Sequence, residues 1–162
     1  MTTSVRVRDL EPADLAWERQ VLSEAWSSTR MVSRGRLTDL VTLPGLIAEW
    51  QDQRAGLLTY RIEGDACEVT SLNSRQEGRG VGTALMLRVR EIARAAGCRR
   101  VWLVTSNDNL PALKFYQRRS YELVAVHRRA IDAARALKPE IAPTGLYGIP
   151  VRDEIELEME VG

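Results

Sequence analysis

Three glycines in alternate positions form the segment of this sequence that is best suited to binding phosphate. Gly78, Gly80 and Gly82 lie in the run EGRGVGT at residues 77–83, directly before a long amphipathic pattern. Glycine allows a backbone to turn tightly and to approach a ligand closely, and free N–H groups at a helix N-terminus attract anions. The run therefore predicts a phosphate-bearing ligand, although glycines there would equally suit a tight strand-to-helix turn.

The spacing of these glycines distinguishes three kinds of phosphate-binding loop. A Walker A loop requires GxxxxGK followed by Ser or Thr, and this run contains no lysine. A Rossmann fingerprint requires GxGxxG after the first strand, whereas these glycines are spaced GxGxG and follow the fourth predicted strand. The run resembles motif A of the GNAT N-acetyltransferases, Q/R-x-x-G-x-G/A, on Gly80 and Gly82. Glu77 replaces the leading Gln or Arg, and its carboxylate is expected to face solvent, away from a diphosphate.

A second pattern, NLPALKFYQRRSY at residues 109–121, resembles motif B of the same family, N-x-x-A-x-x-F/L-Y-x-x-x-G-F. Ser120 replaces the glycine of this motif and is expected to strain a helix end that favours a left-handed residue. Tyr121 replaces the final phenylalanine. The two motifs stand in the family's order and separation, so the chain is identified as a member of the GNAT superfamily from Val5 to Val161.

The resemblance implies that acetyl-CoA is the acyl donor. The backbone of residues 70–72 is expected to pair with the pantetheine amides, the glycine loop to hold the diphosphate, and Asn109 to bond the pantetheine arm. Asn109 would equally serve as a helix N-cap, a position that Asn favours. The expected acetyl-CoA-binding residues are Thr70, Ser71, Leu72, Gly78, Arg79, Gly80, Val81, Gly82, Thr83 and Asn109.

Acetyl transfer to an amine requires a base that takes a proton from the amine and an acid that protonates the departing thiolate. By resemblance, Tyr116 is the expected acid, although a tyrosine there could also be a residue of the core. Glu68 lies near the place where some protein-acetylating relatives have a catalytic glutamate, and it is the expected base; a solvent-facing strand residue is the alternative. Val104 stands where other relatives have a glutamate, which leaves Glu154, Asp153 or water as substitutes.

Hydrophobic periodicity predicts the elements that must position these residues. Apolar residues recur at helical spacing from Val81 to Ala96 and stop at Gly97, so a long helix follows the glycine loop. The continuous apolar run Val101–Val104 predicts a strand covered on both faces, and residues 109–119 are helical. The order strand, helix, strand, helix predicts a parallel pair of strands, and the resemblance implies that the two strands splay apart around acetyl-CoA.

The rest of the chain completes an α/β fold. At 162 residues the chain is predicted to form a single domain, a GNAT fold with a mixed central sheet, splayed parallel strands and flanking helices. The predicted elements outside residues 73–120 are a strand at Val5–Val7, helices at Pro12–Trp26 and Arg34–Val41, strands at Leu46–Trp50, Gly56–Ile62, Cys67–Leu72 and Tyr121–Val126, a short helix at Arg129–Leu137, a loop at Lys138–Pro150 and a final strand at Ile155–Val161.

Composition limits the function classes further. A single histidine, His127, excludes a multi-histidine metal centre, and Cys67 and Cys98 lack the spacing of a metal or redox site, so no metal is expected. A net charge of +1 provides no overall electrostatic attraction to nucleic acid, so nucleic-acid binding is not expected. The N-terminal run MTTSVRVRDLEP shows neither a signal peptide nor a membrane anchor, so the chain is expected in the cytoplasm without membrane contact.

The acceptor side of the predicted enzyme carries no motif. We expect this side to be formed by residues 30–40 and by the insert from His127 to Asp153. The insert could line a pocket, form a homodimer contact or be a surface loop. Small amines, amino acids, aminoglycoside-like drugs and protein amines all stay open as acceptors. The alternative to an enzyme is a non-catalytic module that binds or senses acyl-CoA on the same fold, which the presence of Tyr116 disfavours.

Overall fold

The computed structural model describes residues 4–162; residues 1–3, the start of the segment in which no signal peptide is predicted, lie outside this range. Within it the strands are β1 (Arg6–Asp9), β2 (Arg30–Ser33), β3 (Arg36–Asp39), β4 (Gly45–Trp50), β5 (Gln53–Glu63), β6 (Ala66–Ser74), β7 (Arg100–Ser106), β8 (Glu122–His127) and β9 (Glu154–Glu160). The helices are α1 (Leu15–Trp26), α2 (Val81–Ala95), α3 (Leu110–Gln117) and α4 (Ala130–Ala134), with short 3-10 helices at Pro12–Asp14, Leu40–Thr42 and Leu146–Gly148. No helix within residues 4–162 has both the length and the apolar character needed to cross a membrane.

Seven strands of the described chain form one mixed sheet in the order β1-β4-β5-β6-β7-β9-β8, and β2 pairs with β3 as a separate hairpin. Neighbouring strands of the large sheet are antiparallel, except for β6 and β7, which run parallel. The parallel pair that the order of strands and helices predicts is therefore confirmed, and so is the mixed α/β class.

Alternating side chains of the central strands bury into two hydrophobic clusters. Leu46 and Leu58 pack in the cluster that contains the apolar face of α2, whereas Ile47 and Leu57 pack in the cluster that contains α1. Successive side chains of a strand point to opposite faces of its sheet, so the two helices cover opposite faces. The long amphipathic helix is confirmed, and it ends before Gly97, whose φ is 82°.

Helix α2 lies close to the sheet because β5 has a glycine beneath it. A Cβ atom at Gly56 would lie 2.3 Å from Cγ1 of Val81 and 3.1 Å from Cδ1 of Leu85. A distance of 2.3 Å is far shorter than any carbon–carbon contact, so a larger residue would push the helix away. This close approach fixes the start of α2, and with it the glycine loop, against the middle of the sheet.

The helix predicted at Arg34–Val41 is wrong. These residues form the turn and second strand of the β2–β3 hairpin, followed by a 3-10 turn. The turn residues Arg34 and Gly35 have φ values of 50° and 77°, which match the twist of a tight hairpin and are incompatible with a right-handed helix. The strand before the glycine loop is consequently the sixth in the chain, two more than predicted.

The insert near the C-terminus is mostly loop, with α4 shorter than the helix predicted at Arg129–Leu137. The ammonium group of Lys138 donates to the main-chain oxygens of Trp26 at 2.9 Å and Arg30 at 2.8 Å. These two bonds join the insert to the end of α1 and the start of β2. The insert is thus packed against the rest of the fold.

Candidate active site

Strands β6 and β7 pair over a short stretch and then separate. The last parallel pair is Glu68 with Trp102. The register between β5 and β6 shifts between Thr59 and Tyr60, which leaves Thr70 as an extra residue in β6. Such a bulge bends the strand that contains it and increases its twist. The bulge therefore accounts for the divergence of β6 from β7 directly after Glu68.

The predicted coenzyme-binding residues of β6 lie along this diverging edge. Thr70 and Ser71 are buried, and their hydroxyls lie 2.7 and 2.6 Å from Oγ1 of Thr59. Their hydroxyls are therefore hydrogen-bonded within the sheet, so we expect them to bind a ligand through their main-chain groups. Leu72 is half-buried and borders the adjoining cleft. A strand edge without a neighbour presents N–H and C=O groups that another extended chain can pair with.

The glycine loop ends in free amide groups at the start of α2. Gly78 and Gly80 have φ values of 74° and 75°, a left-handed conformation that favours glycine. The N–H of Ala84 bonds the carbonyl of Gly80 at 2.9 Å, so the N–H groups of residues 81–83 precede the first intrahelical bond. Their donors and the positive end of the helix dipole form an anion site.

A cleft of about 490 Å³ lies between this loop and α3. Its lining residues are Leu72, Ser74, Gln76, Glu77, Gly78, Gly80, Val81, Gly82, Thr83, Pro111, Ala112, Phe115, Tyr116 and Arg119. Gly82 marks a narrow part of it, because a Cβ atom there would lie 3.0 Å from Cζ of Phe115. Glu77 is exposed, as expected, but it is also one of the residues that line the cleft.

Arg119 adds positive charge at this cleft, whereas the predicted coenzyme-binding residue Arg79 is not part of its lining. Arg119 donates from Nε and Nη2 to Oγ1 of Thr83 at 2.9 and 2.7 Å, and its guanidinium lies 3.6 Å from the ring centre of Phe115. Within residues 4–162 Arg119 has no carboxylate at ion-pair distance. Arg79 is exposed and lies over the ring of Trp50. Sequence reasoning missed Arg119, although its position four residues after Phe115 on a helical pattern places the two on one face.

Asn109 caps α3, since its side-chain oxygen accepts the N–H of Ala112 at 3.2 Å. This is the capping role that its residue type allows. An asparagine amide also carries two N–H donors, which the cap does not use. The cap and the predicted bond to a pantetheine arm are therefore compatible.

Tyr116 lines the cleft and is buried, with 8% of its surface exposed. Its ring packs edge-on against those of Phe115 and Tyr121, with centres 5.1 and 5.8 Å apart. Burial raises the pKa of its hydroxyl above the ordinary value, and Tyr121 adds to the rise. The hydroxyl is consequently protonated at neutral pH and available as a donor.

Glu68 is buried and bonded on both oxygens. Oε1 accepts from Nη2 of Arg61 at 2.8 Å, and Oε2 accepts from Oγ of Ser33 at 2.6 Å. The carboxylate thus ties β6 to the β2–β3 hairpin and does not line the cleft beside the glycine loop. The solvent-facing alternative for Glu68 is wrong, because 5% of the residue is exposed. Its role as a base stays a prediction.

The substitute bases lie at the start of β9. Glu154 is buried and accepts from Nη1 of Arg34 at 2.9 Å. Asp153 accepts the N–H of Arg129 at 2.9 Å with one oxygen and Nε of Arg152 at 3.1 Å with the other. Glu154 borders a second cavity together with Val104, whereas Asp153 and Glu68 do not.

Comparison with known proteins shows which family this chain resembles. The profile of the Acetyltransferase (GNAT) family matches residues 12–121. The protein YxbD of Bacillus subtilis (strain 168) is 39% identical over 137 residues, which cover 84% of this chain and 86% of YxbD. YdhI of the same organism is 49% identical over 100 residues, which cover 62% of each chain, so the match spans less than two thirds of YdhI.

A solved structure shows the same fold. The GNAT family acetyltransferase of Elizabethkingia anophelis, a structure with acetyl-CoA bound, has a TM-score of 0.70, with 15% identity and coverage of 98% of this chain and 99% of its own. At this identity the likeness shows the fold alone, and it confirms the predicted GNAT fold. Because the family profile covers well over half of the chain and YxbD is related over most of its length, this chain belongs to the GNAT acetyltransferase family.

Proposed function

We propose that this chain transfers the acetyl group of acetyl-CoA to an amine by direct attack of the amine on the thioester. The observation that carries the proposal is one continuous surface: the diverging edge of β6 leads into the anion site at the start of α2, and Tyr116 lies in the same cleft. A strand edge suits the amides of a pantetheine arm, and the anion site suits a diphosphate. The acetyl-CoA in the Elizabethkingia anophelis acetyltransferase supports this choice of donor.

Each group has a distinct role in the proposal. Acetyl-CoA would supply an activated acyl group, and residues 78–83 would hold its diphosphate through main-chain N–H groups. Arg119 would add positive charge beside that site. Asn109 would donate to the pantetheine arm while its oxygen caps α3. The buried hydroxyl of Tyr116 would donate its proton to the departing sulfur.

The base is proposed among the two buried glutamates. Both carboxylates are hydrogen-bonded on both oxygens, Glu68 to Arg61 and Ser33 and Glu154 to Arg34. Glu154 borders the second cavity and Glu68 does not, so we place Glu154 first and Glu68 second. A general base accelerates the reaction by about 10²- to 10⁴-fold. Glu154→Gln is therefore expected to lower kcat/KM by about this factor, and Glu68→Gln is expected to change it little. The opposite result would assign the role to Glu68, and a small change in both variants would indicate that water is the base.

Replacement of Tyr116 tests the proposed chemistry. With acetyl-CoA and a panel of amines, release of free coenzyme A thiol is expected from the native chain. Tyr116→Phe removes the donor and is expected to lower kcat by about 10²- to 10⁴-fold, with little change in acetyl-CoA affinity.

Tyr121→Phe is the matched control, because Tyr121 contacts Tyr116 and also has a buried hydroxyl. It is expected to retain native turnover. An unchanged kcat in Tyr116→Phe would remove Tyr116 from the mechanism. Acetyl-CoA binding without thiol release for any amine would identify a sensing module instead of an enzyme.

A further inference from the structure

We propose that the second cavity binds the acceptor, and that this acceptor is a small monoamine with an apolar body; the proposal rests on the acetyltransferase function proposed above. The cavity has a volume of about 410 Å³ and lies among the end of α1, β2, the end of β7 and the insert. Cavities of this size accommodate small molecules. Asn109 borders it, so the cavity adjoins the residue that is predicted to hold the pantetheine arm.

The walls of this cavity are largely apolar. The aliphatic and aromatic residues around it are Ala25, Trp26, Met31, Val32, Val104, Ile131, Ala134, Ile141, Ala142 and Val151. Burial of apolar ligand surface against such walls is favourable, whereas a heavily hydroxylated ligand would lose hydrogen bonds to water there. The walls therefore favour an acceptor whose body is hydrocarbon or aromatic.

One carboxylate in the wall has an oxygen without a partner. Asp108 is 6% exposed, and its Oδ2 accepts the N–H of Leu146 at 2.9 Å. Its Oδ1 is buried and forms no hydrogen bond within residues 4–162. A buried carboxylate oxygen is costly unless a donor satisfies it. Asp108 and Asn109 both border the cavity. Oδ1 has almost no exposed surface, so it accepts a donor from the cavity when the carboxyl group turns toward it, and we assign this donor to the amine of the acceptor.

The other charged groups around the cavity are already engaged. Glu154 is paired with Arg34 at 2.9 Å, and the ammonium of Lys138 is bonded to two main-chain oxygens. The wall thus offers one free carboxylate, which matches one ammonium group. A polycation would lack further acids to pair with and would meet the charges of Lys138 and Arg34, so aminoglycoside-like acceptors are disfavoured.

A free donor lies in the same wall. The indole Nε1 of Trp26 is buried and has no hydrogen-bond partner within residues 4–162. A hydroxyl or carbonyl oxygen on the acceptor would satisfy it. The expected acceptor is therefore an arylalkyl or alkyl monoamine, with an oxygen substituent as a further aid to binding.

The insert is held firmly enough to form a wall. Arg135 donates to the main-chain oxygens of Ile141, Ala142 and Val151 at 3.1, 2.8 and 2.6 Å. Oδ1 of Asn107 accepts the N–H of residues 152 and 153 at 3.0 Å each. A site whose walls are already in place loses less conformational freedom when its ligand binds.

An acceptor panel tests the chemical class. Thiol release with acetyl-CoA would be measured for phenylethylamine and tyramine, for spermine and an aminoglycoside, and for a peptide with a free N-terminus and a lysine. The expected result is a kcat/KM at least about 10-fold higher for the arylalkyl monoamines. A preference for the polycations or for the peptide would overturn the proposal.

Asp108→Asn tests the assigned residue directly. Asparagine keeps the size of the side chain and an oxygen for the N–H of Leu146, but it replaces the free acceptor atom with a donor. The KM for the monoamine is expected to rise about 10- to 100-fold, with acetyl-CoA affinity unchanged and no loss in melting temperature. Ala142→Trp, a change at an exposed residue of the cavity wall, is expected to abolish amine binding by filling the space.

Calorimetric titration of phenylethylamine into protein saturated with coenzyme A provides a readout that does not depend on turnover. Asp65→Asn, at an exposed residue outside the cavity, is the control and is expected to bind the amine normally. Unchanged amine affinity in Asp108→Asn and Ala142→Trp would refute this cavity as the acceptor site. Absence of acetyl-CoA binding in the native chain would instead refute the proposed function.

Discussion

Individual buried carboxylates of this chain differ in whether an arginine satisfies them. Asp14, Glu68 and Glu154 each accept hydrogen bonds from an arginine. Asp108 and Glu18 each retain a buried oxygen that has no hydrogen-bond partner among the described residues 4–162. A paired carboxylate stabilises the contact that it joins, whereas an unpaired one disfavours its own charged form. The unpaired group is thus where ligand binding or pH dependence is expected.

Glu18 is expected to make the stability of the fold depend on pH. Burial raises its pKa to about 7, with further upward contributions from Asp14 and Asp39 against a downward one from Arg19. Between about pH 4.5, the ordinary pKa of the group, and about pH 7, the carboxyl of Glu18 is ionised in the unfolded chain and protonated in the folded chain. The free energy of unfolding therefore falls as pH rises through this range. Glu18→Gln is expected to raise the free energy of unfolding by about 1 to 3 kcal/mol at pH 8 and to leave it nearly unchanged at pH 4.

Urea denaturation of both chains at the two pH values measures this effect. Glu24→Gln, on the exposed side of the same helix, is the control and is expected to change stability by less than about 0.5 kcal/mol. A gain of equal size at pH 4 and pH 8 would show that Glu18 does not titrate as described.

Short motifs predict where single residues lie along their own element. Asn109 and Tyr116 stand at fixed positions of one pattern, and the structure has Asn109 at the start of α3 and Tyr116 within it. Their roles in binding and catalysis stay predictions. Arg119 and Asp108 could not be predicted as site residues, because their contacts are with distant segments of the chain. Arg119 donates to Thr83, and Asp108 accepts from Leu146 in the insert. Free and paired side chains cannot be distinguished without the fold.

At the scale of elements, the end of α3 carries local strain. Ser120 is exposed and has a φ of 70°, the left-handed conformation that its replacement of glycine in the motif predicts. That conformation destabilises a residue that has a Cβ by about 1 to 2 kcal/mol. Glycine avoids this cost, but its greater conformational freedom in the unfolded chain offsets part of the gain. Ser120→Gly is therefore expected to stabilise the protein by about 0.5 to 1 kcal/mol in urea denaturation.

Ser23→Gly provides the control for this change. Ser23 is exposed within α1, where glycine weakens a helix, so the same replacement is expected to destabilise by about 0.5 to 1 kcal/mol. A loss of stability in both variants would show that the φ of Ser120 carries no strain.

Elements with a strong period could be predicted, and elements defined by their turns could not. The amphipathic α2 has a sequence pattern that only a helix satisfies, and its end shortly before Gly97 follows from the glycine. The turn and second strand of the β2–β3 hairpin are predicted as a helix because the strands are short and their pairing depends on a turn at Arg34 and Gly35. An arginine at positive φ has no clear signature in sequence.

At the scale of the whole molecule, the arrangement of strands creates both candidate sites. The parallel pair β6–β7 could be predicted from the order of elements, but the bulge at Thr70 that separates the strands arises from pairing with β5. The cavity beside the insert likewise depends on Lys138, which joins the insert to α1 across more than a hundred residues. Long-range contacts of this kind leave no local pattern.

The central claim is that the amide groups at the start of α2 seat the diphosphate of acetyl-CoA. Calorimetric titration of acetyl-CoA into the native chain and into Gly82→Asp tests it most directly, with melting temperatures to establish that both are folded. One saturable site is expected in the native chain, with affinity at least about 10-fold weaker in Gly82→Asp, because the new carboxylate adds bulk against Phe115 and negative charge at the anion site. No saturable binding to the native chain, or equal affinity in a folded Gly82→Asp, would contradict the claim.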